Sequence, residues 1–176
     1  MTFSSALLPL VLLLASSSAW GMAHAEAGGL KQILMYMQAF TGPNATTLTV
    51  VPPLLGGNTT FGRIQFIDNE LRDGPDPTNS LLIGRFQGFT ANAGIVTPPG
   101  TQTVITFVFT AGQYSGSTLS MVGTIVSVNG TFERPIVGGT DKFRMARGYC
   151  IIKASSRPTP LSTVFEVNLS LKMEGN

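Results

Sequence analysis

From about residue 30 to the end, short runs rich in Val, Ile, Thr and Phe recur about every 10 to 15 residues, each broken by Gly, Pro, Asn or Asp. That spacing leaves no room for long helices. It predicts strands at 32–40, 46–51, 61–67, 81–92, 103–110, 117–128, 130–137, 142–153 and 163–172, with hairpin turns at 112–116 and at Asn129-Gly130. Successive side chains on a strand point to opposite sides. In the last run Phe165, Val167, Leu169 and Leu171 therefore share one face, and Glu166, Asn168, Ser170 and Lys172 the other. One side is core and the other faces water. In 103–110 both faces are fairly apolar, Ile105, Phe107 and Phe109 against Val104, Thr106 and Val108, as in a strand that lines a core and also contacts another subunit. The expected fold is all-β, a single eight-stranded antiparallel β-barrel.

The first 25 residues read differently. An apolar stretch at 6–15 is about half the ~20 residues a spanning helix needs, and Ala23-His24-Ala25 supplies a small-x-small cleavage pattern. Residues 1–25 are thus expected to be a cleaved secretory signal peptide, leaving 26–176 as one domain. No internal repeat or linker divides it, and about 150 residues suffice to bury a core without disulfides. Cys150 is the single cysteine and sits in an apolar run, so burial is the expectation. Charged residues make up 11% of the chain, about half the usual fraction. That composition suits a large interior or an oligomer burying extra surface. The net charge of +2 is scattered, with one local cluster at 142–147, so neither a nucleic-acid surface nor a membrane role is expected.

His24, the one histidine, leaves with the leader. Histidine-dependent nucleophile systems, a histidine general base and His-ligated metals are then excluded. G-x-S-x-G, P-loop and dinucleotide fingerprints are absent as well. No metal or cofactor is expected. Four N-x-[ST] sequons, at Asn44, Asn58, Asn129 and Asn168, are candidate glycosylation sites, Asn44 and Asn58 first. The acidic stretch 68–77 lacks EF-hand spacing and reads as a solvated loop.

The segment 136–149, IVGGTDKFRMARGY, holds the main candidates. Counted by parity, Arg147 shares a face with Phe143, Met145, Tyr149 and Ile151, among which a guanidinium needs a carboxylate, a carbonyl or a ligand. Asp68 or Glu166 would serve as a structural partner. Asp141 has the same parity, but six extended residues span roughly 20 Å.

Four blocks, taken together, resemble the plant dirigent proteins. FGRIQFIDNEL at 61–71 is similar to the family's FG-x-(apolar)-D-x-x-L segment, and GRFQGF at 84–89 to its GRAQGF. SGSTLSMVG at 115–123 resembles N-G-S-T-L-S-V-x-G, and 137–149 the signature VGGTG-x-F-x-x-ARGY. The resemblance implies a secreted, commonly trimeric barrel in the cell wall with an apolar pocket and no redox centre. A laccase or peroxidase would make phenoxy radicals from monolignols, and the barrel would orient them toward one stereoisomer of a lignan. Arg147 matches the family's pocket arginine and is a catalytic candidate together with Asp141 and Asp68, and Tyr36, Phe89, Phe107 and Phe143 are the substrate-binding candidates. Alternatives are a cofactor-free isomerase or dehydratase on a quinone-methide-like intermediate, and a non-catalytic wall or defence protein that binds phenolics or glycans. A homo-oligomer is expected, trimer favoured and dimer possible. The chain departs from the family pattern where it reads Ala39 for the first-strand aspartate, Thr90 for a pocket tyrosine, Asp141 for the fourth residue of GGTG, and Lys142 for a following aspartate.

Overall fold

The computed structural model describes residues 26–27, 29–53, 59–96, 100–126 and 130–173. The expected leader, Asn58 and Asn129 lie outside the described residues. Among the described residues ten strands follow one another: β1 Glu26–Ala27, β2 Leu30–Phe40, β3 Thr47–Val51, β4 Ile64–Arg72, β5 Leu82–Asn92, β6 Thr101–Phe109, β7 Thr118–Ile125, β8 Thr131–Thr140, β9 Arg147–Thr159 and β10 Ser162–Lys172. All pair antiparallel in the order β1-β2-β10-β9-β8-β7-β6-β5-β4-β3, and a further pairing of β2 with β4 closes the ring. The eight strands β2 and β4 to β10 thus form a closed barrel, as the sequence pattern predicts. β3 continues the path of β2 along β4 after the interruption at Thr41–Thr46. Closure removes the unpaired edges that would otherwise template aggregation.

The inner faces follow alternation. Ile105, Phe107 and Phe109 of β6, Leu119 and Met121 of β7, and Val167, Leu169 and Leu171 of β10 are all buried in one cluster with Ile33, Met35 and Met37 of β2. At one end the core finishes in an aromatic plug. The ring centroids of Tyr114 and Phe143 lie 4.7 Å apart, and Phe109 is 5.6 Å and 5.3 Å from them. Two similar 3-10 turns, Gly112–Tyr114 and Asp141–Phe143, bring these rings inward.

The two turns share their backbone course. Each opens on a residue with positive φ, Gly112 at 72° and Asp141 at 50°, and each has a second such residue four positions on, Gly116 at 85° and Met145 at 62°. Asp141 offsets part of its strain by accepting a hydrogen bond from the Ser117 hydroxyl at 2.9 Å. Met145 is 52% exposed. Left-handed backbone costs an ordinary residue about 1–2 kcal/mol, whereas glycine loses about 0.5–1 kcal/mol through unfolded-chain entropy. Met145→Gly is therefore expected to stabilise the fold by roughly 0.5 kcal/mol, read as a higher urea midpoint at unchanged slope. A lower midpoint would contradict this account of the turn.

Strand boundaries differ from the sequence expectation in several places: β8 runs on to Thr140 and β9 to Thr159, and β4 starts only at Ile64. β4 runs on through Asp68 and Glu70 to Arg72, so the solvated loop starts at Asp73 rather than Asp68. Residues 142–146 are turn, not strand, and β9 starts only at Arg147. Among the described residues no helix is long and apolar enough to cross a membrane.

Candidate functional site

Between the core and the end opposite the plug the barrel encloses a cavity of about 200 Å3. Its wall is drawn from the inner faces of nearly every strand: Met37 and Ala39 of β2, Ile67 and Asn69 of β4, Phe86 and Thr90 of β5, with Thr47, Ile105, Ile125, Phe132, Arg134, Ile152 and Phe165. Most of these are apolar, and the polar ones are Thr47, Asn69, Thr90 and Arg134. Asn69 is held in place: its Nδ2 donates to Met37 Sδ at 3.3 Å, and its Oδ1 accepts from the Thr46 hydroxyl. A closely packed edge contact of Phe86 on Phe107, centroids 5.1 Å apart, fixes the floor.

Arg134 is the charged side chain of this wall, and it is only 5% exposed. It stands between Phe132 and Ile136 on the inner face of β8, opposite Cys150 of β9. Its Nε is enclosed without a hydrogen-bond partner, and none of the ion pairs among the described residues involves it. Burial draws the guanidinium below its usual pKa. Burial also pushes the Cys150 thiol up to about 12, against the opposing pull of Arg134, so the thiol is neutral and offers no counter-charge.

The residues singled out from sequence are distributed differently. Arg147 is exposed on the outer face of β9, with one guanidinium nitrogen donating to the Ala146 carbonyl at 2.9 Å. The expectation that it is buried among bulky apolar groups is corrected. The turn at 141–146 resets the alternation, and the inner face of β9 is Gly148, Cys150 and Ile152. Asp141 is exposed at the plug end, away from the cavity. Asp68 faces outward, where Arg85 Nε donates to its Oδ1 at 2.8 Å and Gln87 Nε2 donates to the same oxygen at 3.1 Å. Phe143 belongs to the plug, Phe107 to the floor, and Phe89 lies outside at 38% exposure. Tyr36 lies half-buried on β2, out of phase with the inward Met35 and Met37. The structure therefore does not bring these seven residues together.

Hydrogen bonding from Arg85 holds the Asp68 carboxyl below its ordinary value of 3.8. A carboxylate with a depressed folded pKa adds stability that is complete above the unfolded value and is lost as pH falls through the folded one. Its side chain is 53% exposed, so water screens the pair and the contribution stays under about 1 kcal/mol. Asp68→Asn is expected to flatten the acid limb of the stability curve below about pH 4 by that small amount and to leave stability at neutral pH lower by the same amount. A variant whose acid limb matches wild type would show that the pair contributes nothing.

Sequence reasoning passed over Arg134, although the signal was present. Phe132, Arg134 and Ile136 alternate with Glu133 and Pro135, which places the arginine on the apolar face.

A family model for dirigent-like proteins matches residues 30–172. The chain belongs to the dirigent family. Dirigent protein 1 of Arabidopsis thaliana is 37% identical over 127 residues, 72% of this chain and 68% of that one. Pterocarpan synthase 1 of Glycyrrhiza echinata is 34% identical over 116 residues, 64% of this chain and 61% of that one. A solved structure of a pterocarpan synthase dirigent protein matches with a TM-score of 0.69 at 30% identity, covering 84% of this chain and 88% of that one. Ala39 and Thr90, two positions where the sequence leaves the dirigent pattern, are both on the cavity wall. The carboxylate and the phenol that the resemblance places there are replaced by a methyl and a hydroxyl.

Two sequons are described. Asn44 is exposed in the turn Gly42–Asn44. Asn168 is half-buried on β10 between β2 and β9, with its Nδ2 donating to Glu166 Oε1 at 2.7 Å.

Proposed function

We propose that this dirigent protein binds a phenolic small molecule inside the barrel and orients it for stereoselective radical coupling. The carrying observation is the cavity: mostly apolar, about 200 Å3, walled by aromatic rings and four polar residues, of which Asn69 is held by hydrogen bonds. That volume lies below the ~300–1,000 Å3 of pockets for drug-sized ligands, and it suits one ring with a short tail. Oxidation belongs to an external laccase or peroxidase, which removes one electron and one proton from each phenol. Two radicals then join through one new bond without further electron transfer. The protein's part is restriction of approach geometry.

Chiral chromatography of the products of coniferyl alcohol and a laccase, with and without saturating protein, tests this. An enantiomeric excess that appears only with protein is expected. Racemic dimers in both mixtures sink it.

A second reading is favoured by the likeness to pterocarpan synthases, namely cofactor-free conversion of a quinone-methide-like substrate. Turnover without any oxidase would select it. Against it stands the wall itself, which presents no carboxylate among the described residues. Simple binding of a phenolic in the wall keeps the same cavity and lacks both activities.

Assembly into a homo-oligomer is part of the proposal. It is supported by a row of exposed apolar side chains that runs straight across five strands, Leu48, Phe66, Phe89, Val104 and Val122, each the registered neighbour of the next. On β6 and β7 the outward residues around this row, Gln102, Thr106, Val108, Ser120 and Thr124, carry no charge. Apolar surface of this kind on a secreted barrel is accounted for by a partner. Export through the leader, and glycan at Asn44, complete the reading.

A further inference from the structure

Among the described residues the guanidinium in the cavity has no counter-charge of its own. Every cavity residue other than Arg134 is neutral, and the facing Cys150 is a buried thiol held in its neutral form. The acids of the neighbouring strands point elsewhere. Glu133 is exposed on the outer face of β8, Asp68 is engaged by Arg85 and Gln87, and Glu70 by Arg72. Glu166 accepts from Asn168. A charge so enclosed carries a desolvation cost that an incoming anion relieves, because the ion pair then forms where water has already been removed. The flat guanidinium fork also matches two oxygens at once.

We propose that the cavity selects an aromatic ligand bearing an ionised oxygen, a carboxylate or a phenolate, which Arg134 receives while Phe86, Phe132 and Phe165 enclose the ring. The inference rests on the reading of the interior as the ligand site. It narrows that reading from phenolics in general to those that enter as anions. Asn69, fixed by Met37 and Thr46, stands on the same wall as a neutral second contact.

Isothermal titration of the folded chain at pH 7.5 with ferulate and with coniferyl alcohol, which differ at the tail in charge, tests it. Ferulate is expected to bind at least about tenfold more tightly, the size of one charge-assisted contact. Arg134→Met, close in volume and uncharged, is expected to abolish that preference while coniferyl alcohol still binds, and Arg134→Lys to keep part of it. 4-Nitrophenol, titrated across its own ionisation, separates the two oxygen sources: tighter binding of the ionised form means that phenolates are accepted, and a preference confined to ferulate means that the site takes carboxylates. Equal wild-type affinity for ferulate and coniferyl alcohol overturns the charge selection and leaves the cavity reading standing. So does a preference that survives Arg134→Met. Failure of the wild type to bind any of the three overturns both. The wild-type comparison needs no variant and holds even if a substitution at Arg134 prevents folding.

Discussion

Gly148→Ala is expected to cost the barrel about 3 kcal/mol or more, read as a markedly lower urea midpoint. A β-carbon there would stand 1.9 Å from the Ser170 carbonyl oxygen and 3.0 Å from the Leu171 α-carbon. Both are backbone atoms of β10, a strand held on its two sides by β2 and β9. A flexible side chain could move aside, but the backbone of a strand paired on both sides cannot without breaking pairs. Gly88 meets β6 in the same way, with the Val104 oxygen 2.0 Å from the position of a β-carbon. These contacts mark where strands coil tightly enough for one backbone to lie over the next, as closure of a small barrel demands. Gly116→Ala is the control. Nothing lies within 4 Å of its β-carbon position, so only the positive φ counts against it, about 1 kcal/mol. Urea denaturation of the three proteins measures the difference, and equal loss in both variants would remove the close approach as the cause. Domains of this size have about 5–15 kcal/mol in hand, so the effect is large.

The second expectation sets one phenylalanine against another. Phe107 is 0% exposed and Phe89 38%. Phe107→Ala leaves a hole beneath Phe86 and is expected to cost about 3–5 kcal/mol. It also frees Phe86, so phenolic affinity falls even in the fraction that remains folded. Phe89→Ala removes a ring already half in water and is expected to cost the isolated barrel under about 1 kcal/mol. If copies of the chain meet on that face, however, the same change shifts the mass in light scattering toward monomer. Equal stability losses in the two variants would mean that β5 or β6 is turned the other way. Unchanged mass after Phe89→Ala and after Val104→Asp would separate the apolar row from assembly.

Much of the fold was legible because strand alternation is a strong local signal. β10 shows it plainly, with Val167, Leu169 and Leu171 buried as the pattern predicts. The site was less legible, because parity must be counted from a point known to lie on the strand. Counting from Phe143 carried the alternation through a turn, which placed Arg147 inside when it is outside. Counting within 131–137 would have found Arg134. Resemblance had a complementary weakness. It marked motifs that belong to the family, and several of these are structural: Gly148 permits a close approach, Phe143 fills the plug, and Arg85 holds Asp68. The cavity wall includes Ala39 and Thr90, where this chain departs from the family pattern, and Arg134, which lies outside the four matching blocks. Even the acidic stretch was divided by a physical cause that sequence does not display, since Glu70 and Arg72 pair with β2 and close the barrel.

The aromatic plug bears on kinetics as well as packing. With Tyr114, Phe143 and Phe109 stacked across one end, a molecule in the cavity has a dead end beneath it. On the proposed function a departing molecule would then use the route its successor needs. Exchange would set how often the barrel is reloaded, and a slow-leaving product would compete with its own precursor.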